Sequence, residues 1–283
     1  MQFRFSISLV CSVILLVGPM FSSAQAPKKI TEGKVAGEVR EFGGMIFVWC
    51  PPGEFVMGSP ESESGHKMEE NEPSKEYRLP DETQHPVEIT KGFWLAMHEC
   101  TQSQYSKFME LSKGTTNSIF GAGDEYPVNY VTWSDAQEYC QKLSAEIGTN
   151  PEWRVDLPTE AQWEYACRAG SKGPWAGDIG EMAWYRSNSG EKSHPVGEKK
   201  PNAWELRDMH GSVFEWCRNW AENEYEKDRV RDPVGPASGS KRIIRGGSFG
   251  NSALQCRSAF RMAFDPKVTA AGIGFRVAIV AAD

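Results

Sequence analysis

Positive charge is in short supply in this 283-residue chain: 31 Lys and Arg stand against 38 Asp and Glu, a formal net charge of −7. Nucleic-acid binders draw much of their affinity from a basic face that neutralises phosphates, so this balance gives no support to a nucleic-acid role. Long apolar runs are missing after residue 24. A helix needs about 20 consecutive apolar residues to cross a bilayer, so no integral membrane body is expected. His66, His85, His98, His194 and His210 make no i, i+4 pair and no His-x-His, which leaves a zinc site without its usual ligand spacing. Internal repeats and dividing linkers are absent as well, and a single domain over residues 41–281 is the working expectation.

Aromatics and glycine are plentiful, with ten Trp, 27 Gly and 40% hydrophobic residues. A chain of this length can bury a sizeable core, and this composition suggests an irregular, loop-rich α+β body rather than a helix bundle. The N-terminus reads as a signal peptide over residues 1–24. Arg4 supplies the positive end, Leu9 to Val17 the apolar centre, and Ser22-Ser23-Ala24 or Ala24-Gln25-Ala26 the small-residue cleavage site. Cleavage after Ala24 is favoured, because Pro27 would flank the bond after Ala26. Losing Arg4 and Cys11 takes the charge from −7 to −8 and leaves Cys50, Cys100, Cys140, Cys167, Cys217 and Cys256. An even cysteine count in an exported chain permits disulfides.

Residues 25–40 are polar and read as a flexible leader. Met45 to Met57 has a strand pattern broken by Pro51-Pro52-Gly53, and His85 to Glu99 forms a second strand region with Val87 and Ile89 alternating against polar neighbours. Between them, residues 58–86 are rich in Glu and Ser and poor in apolar groups, so a solvated surface insertion is expected rather than a calcium site. Thr101-x-x-Gln104, Ser134-x-x-Gln137 and Thr159-x-x-Gln162 each have the form of a capping box, in which hydroxyl and amide satisfy the first N–H groups of a helix. Gly148 and Gly170 suit the ends of the second and third helices. Ala136, Cys140, Leu143 and Ile147 share one face of the second helix, so Cys140 is expected inside as a small hydrophobe or a disulfide half.

Several motifs then occur in a telling order: Pro51 to Ser59, Gly92-Phe93-Trp94, Glu99-Cys100-Thr101, Pro127-Val128-Asn129, Val131 to Ala136, Leu157 to Ala166, His194-Pro195-Val196-Gly197 and Asn202 to Trp216. The closing segment Arg242–Val277 adds Gly246-Gly247-Ser248, Arg257, Arg261 and Gly274-Phe275-Arg276. Together they resemble the formylglycine-generating enzyme, or sulfatase-modifying factor, family. The resemblance implies that family's C-type-lectin-like fold. It also implies a structural calcium ion held by the side chains of Asp208 and Glu215 and the carbonyls of Gly211 and Val213, an oxygen set that suits calcium. A second calcium site would involve Asn188.

The family's oxidases hold copper on two cysteines that follow the Gly-Gly-Ser turn, a soft pair suited to monovalent copper. Here the turn is followed by Cys256 alone, and Asn251 stands where counting from Ser248 puts the first cysteine. The stretch between Ser248 and Arg261 is also shorter than the family pattern, so copper is not expected. Cys256 and Ser248 would be catalytic only in an oxidase, and no His/Asp set accompanies Ser248 as a hydrolase would require. Cys256 reads instead as a disulfide half, with Cys217 or Cys167 as partner, and Cys50 and Cys100 as a second pair across two strands. Arg245, Arg257, Arg261 and Arg276 are expected to brace loops through carbonyls and carboxylates, and His210 to be a hydrogen-bonded structural residue. The functional expectation is an exported, non-oxidase binding or accessory module for a protein, peptide or glycan. The alternative is an oxidase that converts a sulfatase cysteine to formylglycine.

Overall fold

The central strands of the main sheet are buried along nearly their whole length because the sheet has a core on each face. In the computed structural model, which describes residues 29–66, 78–79, 81–116, 118–222, 225 and 228–282, the chain opens with β1 (Val39–Phe42), β2 (Met45–Cys50) and β3 (Gly53–Met57). It continues through β4 (His85–Ile89), β5 (Phe93–Ala96), α1 (Gln102–Ser106), α2 (Trp133–Ile147), β6 (Trp153–Asp156), α3 (Glu160–Arg168) and α4 (Ile179–Met182). Then come β7 (Phe214–Trp220), β8 (Val230–Arg231), β9 (Arg242–Arg245), β10 (Met262–Phe264), β11 (Ile273–Gly274) and β12 (Ala278–Ala281). The signal segment 1–24, and residues 67–77 and 80 of the acidic stretch, lie outside the described residues.

The main sheet runs β1-β2-β5-β12-β6, so the C-terminal strand lies between β5 and β6 and ties the two ends of the chain together. Successive strand residues point to opposite faces. Phe47, Trp49, Trp94 and Ile279 therefore join the core that holds Tyr139, Leu143 and Ile147 of α2. Val48, Cys50, Phe93, Leu95, Ala278 and Val280 join the other core, with Trp163 and Tyr165 of α3. Pro51 and Pro52 cannot extend β2, and the chain leaves for a second sheet, β3-β4-β8. The third sheet, β10-β9-β7-β11, carries Glu215, Arg245 and Gly274.

Two of the three expected capping boxes form as read, Thr101 with Gln104 and Thr159 with Gln162. The middle helix starts earlier than expected: Thr132 is its cap, paired with Asp135, and Ser134 lies within the first turn. A one-turn motif overlaps the true one there, and Thr132 prevails because its extended backbone lets Trp133 begin the helix. Gly148 ends α2 in the left-handed conformation (φ 63°), whereas α3 ends on Ala169 (φ 44°), one residue before Gly170.

Two loop expectations change. Ile30 is buried, the Trp94 indole donates to the Thr31 carbonyl at 2.9 Å, and the Gly37 N–H reaches the Trp49 carbonyl, so the described part of the leader is anchored to the body at these points. In the acidic stretch, Arg78, Leu79 and Glu82 are buried, and Arg257 binds Glu63, Glu82 and the Gly65 carbonyl. Its described ends are thus fastened to the body by charge, with Leu79 packed into the α3-side core.

Leu143, fully buried on the inner face of α2, should cost about 2–5 kcal/mol when truncated to Ala, through lost transfer energy and the cavity left behind. Chemical denaturation measures this; Glu138→Gln, at an exposed pair with Lys142, should leave stability within about 0.5 kcal/mol of the parent.

Candidate functional site

Strand β9 delivers the chain into the Gly246-Gly247-Ser248 turn, where both glycines have positive φ (97° and 79°). A Cβ on Gly247 would lie 2.5 Å from the Cys256 sulfur, so glycine there is a packing requirement as well as a conformational one. Ser248 Oγ donates to Asn251 Oδ1 at 2.5 Å, Asn251 Nδ2 donates to Gln255 Oε1 at 3.1 Å, and the Ser252 N–H shares that acceptor. This neutral network closes the loop onto the short 3-10 turn Ala253–Cys256.

Cys256 is wholly buried, and burial pushes its thiol up to about 12. Its carbonyl accepts from His210 Nδ1 at 2.8 Å, while His210 Nε2 lies 3.1 Å from the Ala176 N–H. Burial pushes His210 down to about 4, so the ring is neutral at physiological pH, donating through Nδ1 and accepting through Nε2. The Cys167 sulfur lies 3.7 Å from His210 Nε2 and 3.6 Å from Ser258 Oγ, and burial pushes this thiol up to about 12 as well. These are protonated, covered thiols, whereas nucleophiles and metal ligands need the thiolate.

Cys50, Cys100, Cys140, Cys167, Cys217 and Cys256 are all free and buried, which overturns the expected pairings. Cys50 faces the α3 core and Cys100 the α2 core, so the main sheet stands between them. Cys256, Cys217 and Cys167 behave as small hydrophobes among their neighbours.

The four arginines of the C-terminal segment do brace loops, and each is at zero exposure. Arg245 binds Glu164 at 2.5 Å and the Ser258 carbonyl at 2.6 Å; Arg261 grips both oxygens of Glu160 and the Asp81 carbonyl. Arg257 grips both oxygens of Glu82. Arg276 grips both oxygens of Glu215 and reaches the carbonyls of Ala96, Met97 and Arg207. At Glu164 burial opposes the charged form, but Arg168 and Arg245 outweigh it and hold the carboxyl below its usual range. Sequence reading missed the acidic partners. The signal was present in α3, where Glu160, Glu164 and Arg168 recur every four residues on a helix otherwise built for burial.

The residues expected to hold calcium come together only in part. Glu215 is engaged through both oxygens by Arg276 and also accepts from the Trp163 indole at 2.7 Å. Asp208, at φ 58°, takes the Gly197 N–H on Oδ2 at 2.6 Å and has no partner on Oδ1. Gly211 admits only glycine, since a Cβ would meet the Trp184 carbonyl at 2.2 Å; Val213 is buried beside it. Asn188 is occupied at both ends of its amide, by Tyr185 N–H and the Ala183 carbonyl. Among the described residues no three His, Cys, Asp or Glu side chains converge as a metal set.

This arrangement agrees with what comparison finds. Residues 34–281 match the sequence model of the Sulfatase-modifying factor enzyme 1-like domain. The chain belongs to that family. It is 31% identical over 187 residues to the formylglycine-generating enzyme of Streptomyces coelicolor, covering 59% of this chain and 56% of that one. It is 28% identical over 236 residues to the protein named chaperone protein LppX of Paenibacillus barcinonensis, covering 65% and 79%. The structure of PvdO from Pseudomonas aeruginosa superposes with a TM-score of 0.74 at 27% identity, covering 88% of this chain and all of that one. The chain spans about half the length of the curated formylglycine-generating enzymes it matches. The mixed, loop-rich α+β architecture is that of this family.

Alkylation with iodoacetamide followed by mass spectrometry should label none of Cys50, Cys100, Cys140, Cys167, Cys217 and Cys256 in the native protein. All six should react in denaturant without reductant. Glu164→Gln, which strands the buried Arg168 charge and leaves Arg245 only its longer contact with Glu160, should lower unfolding free energy by about 3–5 kcal/mol in chemical denaturation.

Proposed function

We propose that this chain is an exported, non-oxidase member of its family that acts as a binding or accessory module for a protein, peptide or glycan. The observation that carries the reading is the state of Cys256. It is the sole cysteine beyond Cys217, it is fully covered with its thiol pushed up to about 12 by burial, and the loop before it is tied by the hydroxyl and amides of Ser248, Asn251 and Gln255. Monovalent copper is held by soft thiolate pairs. One buried thiol without a second cysteine in the same loop does not fit that ion.

Other features are in keeping with a module. Arg245, Arg257, Arg261 and Arg276 are consumed by internal carboxylates and carbonyls, which leaves these four unavailable to a substrate. The family also includes relatives with names other than formylglycine-generating enzyme: the LppX match is named a chaperone, and the domain matches a third of a Chlamydia pneumoniae protein named serine/threonine-protein kinase pkn1. Export is supported by Arg4, the apolar run Leu9–Val17 and the small residues up to Ala24. No helix among the described residues is long and apolar enough to cross a membrane.

Incubation of the purified protein with copper, oxygen, a thiol reductant and a peptide containing Cys-x-Pro-x-Arg tests the reading. The peptide mass should remain unchanged. Conversion of its cysteine to an aldehyde, lost in a Cys256→Ser variant, would establish the oxidase alternative.

A further inference from the structure

One small cavity has a lining whose charge runs against that of the whole molecule. The chain carries a formal net charge of −7. Yet at a cavity of about 130 Å³ beside the start of α3, three cations, Lys91, Arg154 and Arg218, face one carboxylate, Asp232, among the described lining residues. The cations come from separate parts of the fold: Lys91 follows β4, Arg154 lies on the edge strand β6, and Arg218 on β7. Arg218 sits where the ladder between β7 and β9 shifts register, between Trp216 and Trp220, an irregularity of the kind that re-aims a side chain. Ile89, Leu157 and Val280 form a buried apolar wall.

The nearby acids do not cancel this charge. Asp232 is held by the N–H and hydroxyl of Thr90. Asp156 stands between the two arginines, its Oδ2 lying 3.4 Å from Arg154 Nε and 3.6 Å from Arg218 Nε. Charge-assisted N–H···O bonds are about 2.7–2.9 Å long, so neither contact is a close pair. Arg242 adds a fourth cation: it is held between the Trp133 and Trp220 rings, 3.7 and 3.4 Å from their centroids, and donates to the Arg218 carbonyl. Burial first, and then the Arg218 charge, push Arg242 down to about 10. The remaining polar groups of the lining suit an anion too. Gln162 spends Oε1 on the Thr159 N–H and keeps its amide donor, and the N-terminus of the nine-residue α3 adjoins the cavity with its positive dipole end.

We propose that this cavity binds a small organic anion, its carboxylate between Arg218 and Lys91 and a short aliphatic group on Ile89, Leu157 and Val280. The volume sets the size: drug-sized ligands fill about 300–1,000 Å³, so a ligand of a few carbons fits here. The apolar wall favours a carboxylate that carries hydrocarbon over inorganic phosphate, which gains nothing from such a surface. A free short-chain acid and the end of a peptide with an aliphatic last residue both offer this chemistry. None of the lining residues belongs to the 246–256 loop, so binding here is independent of whether the chain is an oxidase or a binding module.

Isothermal titration calorimetry on the full chain tests this with isovalerate, a valine-ending tetrapeptide as free acid and as amide, isoamyl alcohol and inorganic phosphate. Isovalerate or the peptide acid should bind saturably at one site per chain, more weakly as salt is added. Arg218→Gln and Lys91→Gln should each weaken binding about tenfold or more, as expected for the loss of one hydrogen bond to a charged group. Lys91 is exposed, so its variant carries the test should Arg218→Gln fail to fold. Tighter binding of the peptide acid assigns the site to chain ends, and tighter binding of isovalerate to free acids. Three results would overturn the proposal: no saturable binding of either acid; equal binding of the amide, the alcohol or phosphate; or undiminished affinity in Lys91→Gln or in a folded Arg218→Gln.

Discussion

Buried arginine–carboxylate pairing is the constraint on which this fold depends. Arg245, Arg257, Arg261 and Arg276 come from one C-terminal stretch, and their partners come from distant parts of the chain: Glu82 beside β4, Glu160 and Glu164 on α3, and Glu215 on β7. Taking such charges out of water costs several kcal/mol per ion, which only good geometry repays. Arg257, Arg261 and Arg276 each engage both oxygens of one carboxylate, and the remaining N–H groups go to carbonyls of irregular loops. A planar fork of donors does this where a lysine could not. The arrangement explains how a chain with little regular structure holds its loops in place: carbonyls that sheets or helices would otherwise satisfy are taken up by guanidinium groups.

The same network bears on function. An arginine that binds the Ser258 carbonyl and Glu164, as Arg245 does, is a structural member and is not available to a ligand. The Gly246-Gly247-Ser248 turn persists for a packing reason too, because the Cys256 sulfur fills the space beside Gly247. Family membership is therefore written in residues that maintain the body. In the proposed reading the family's chemistry is missing from one loop, where this chain has Asn251, Gln255 and a covered Cys256.

Much of this was legible before the structure. The caps at Thr101 and Thr159 could be read because a capping box is a local rule, and the buried face of α2 because its period is regular. The bracing role of the four arginines was foreseen, but their carboxylates were not, since such pairs join residues 61 to 194 positions apart in the chain. Disulfides failed for a similar reason: an even cysteine count says nothing about which face of a sheet each sulfur occupies, and Cys50 and Cys100 lie on opposite faces. The anchored leader was missed because its anchors are a single apolar residue, Ile30, and backbone carbonyls that carry no sequence signature.

The central claim is that the segment after β9 preserves the family's scaffold without its copper-binding thiolates. Titration of the reduced native protein against a coloured chelator of monovalent copper measures this directly. The account predicts that the chelator keeps its copper, with wild type and Cys256→Ser indistinguishable. Stoichiometric withdrawal of copper by wild type, abolished by Cys256→Ser, would contradict it.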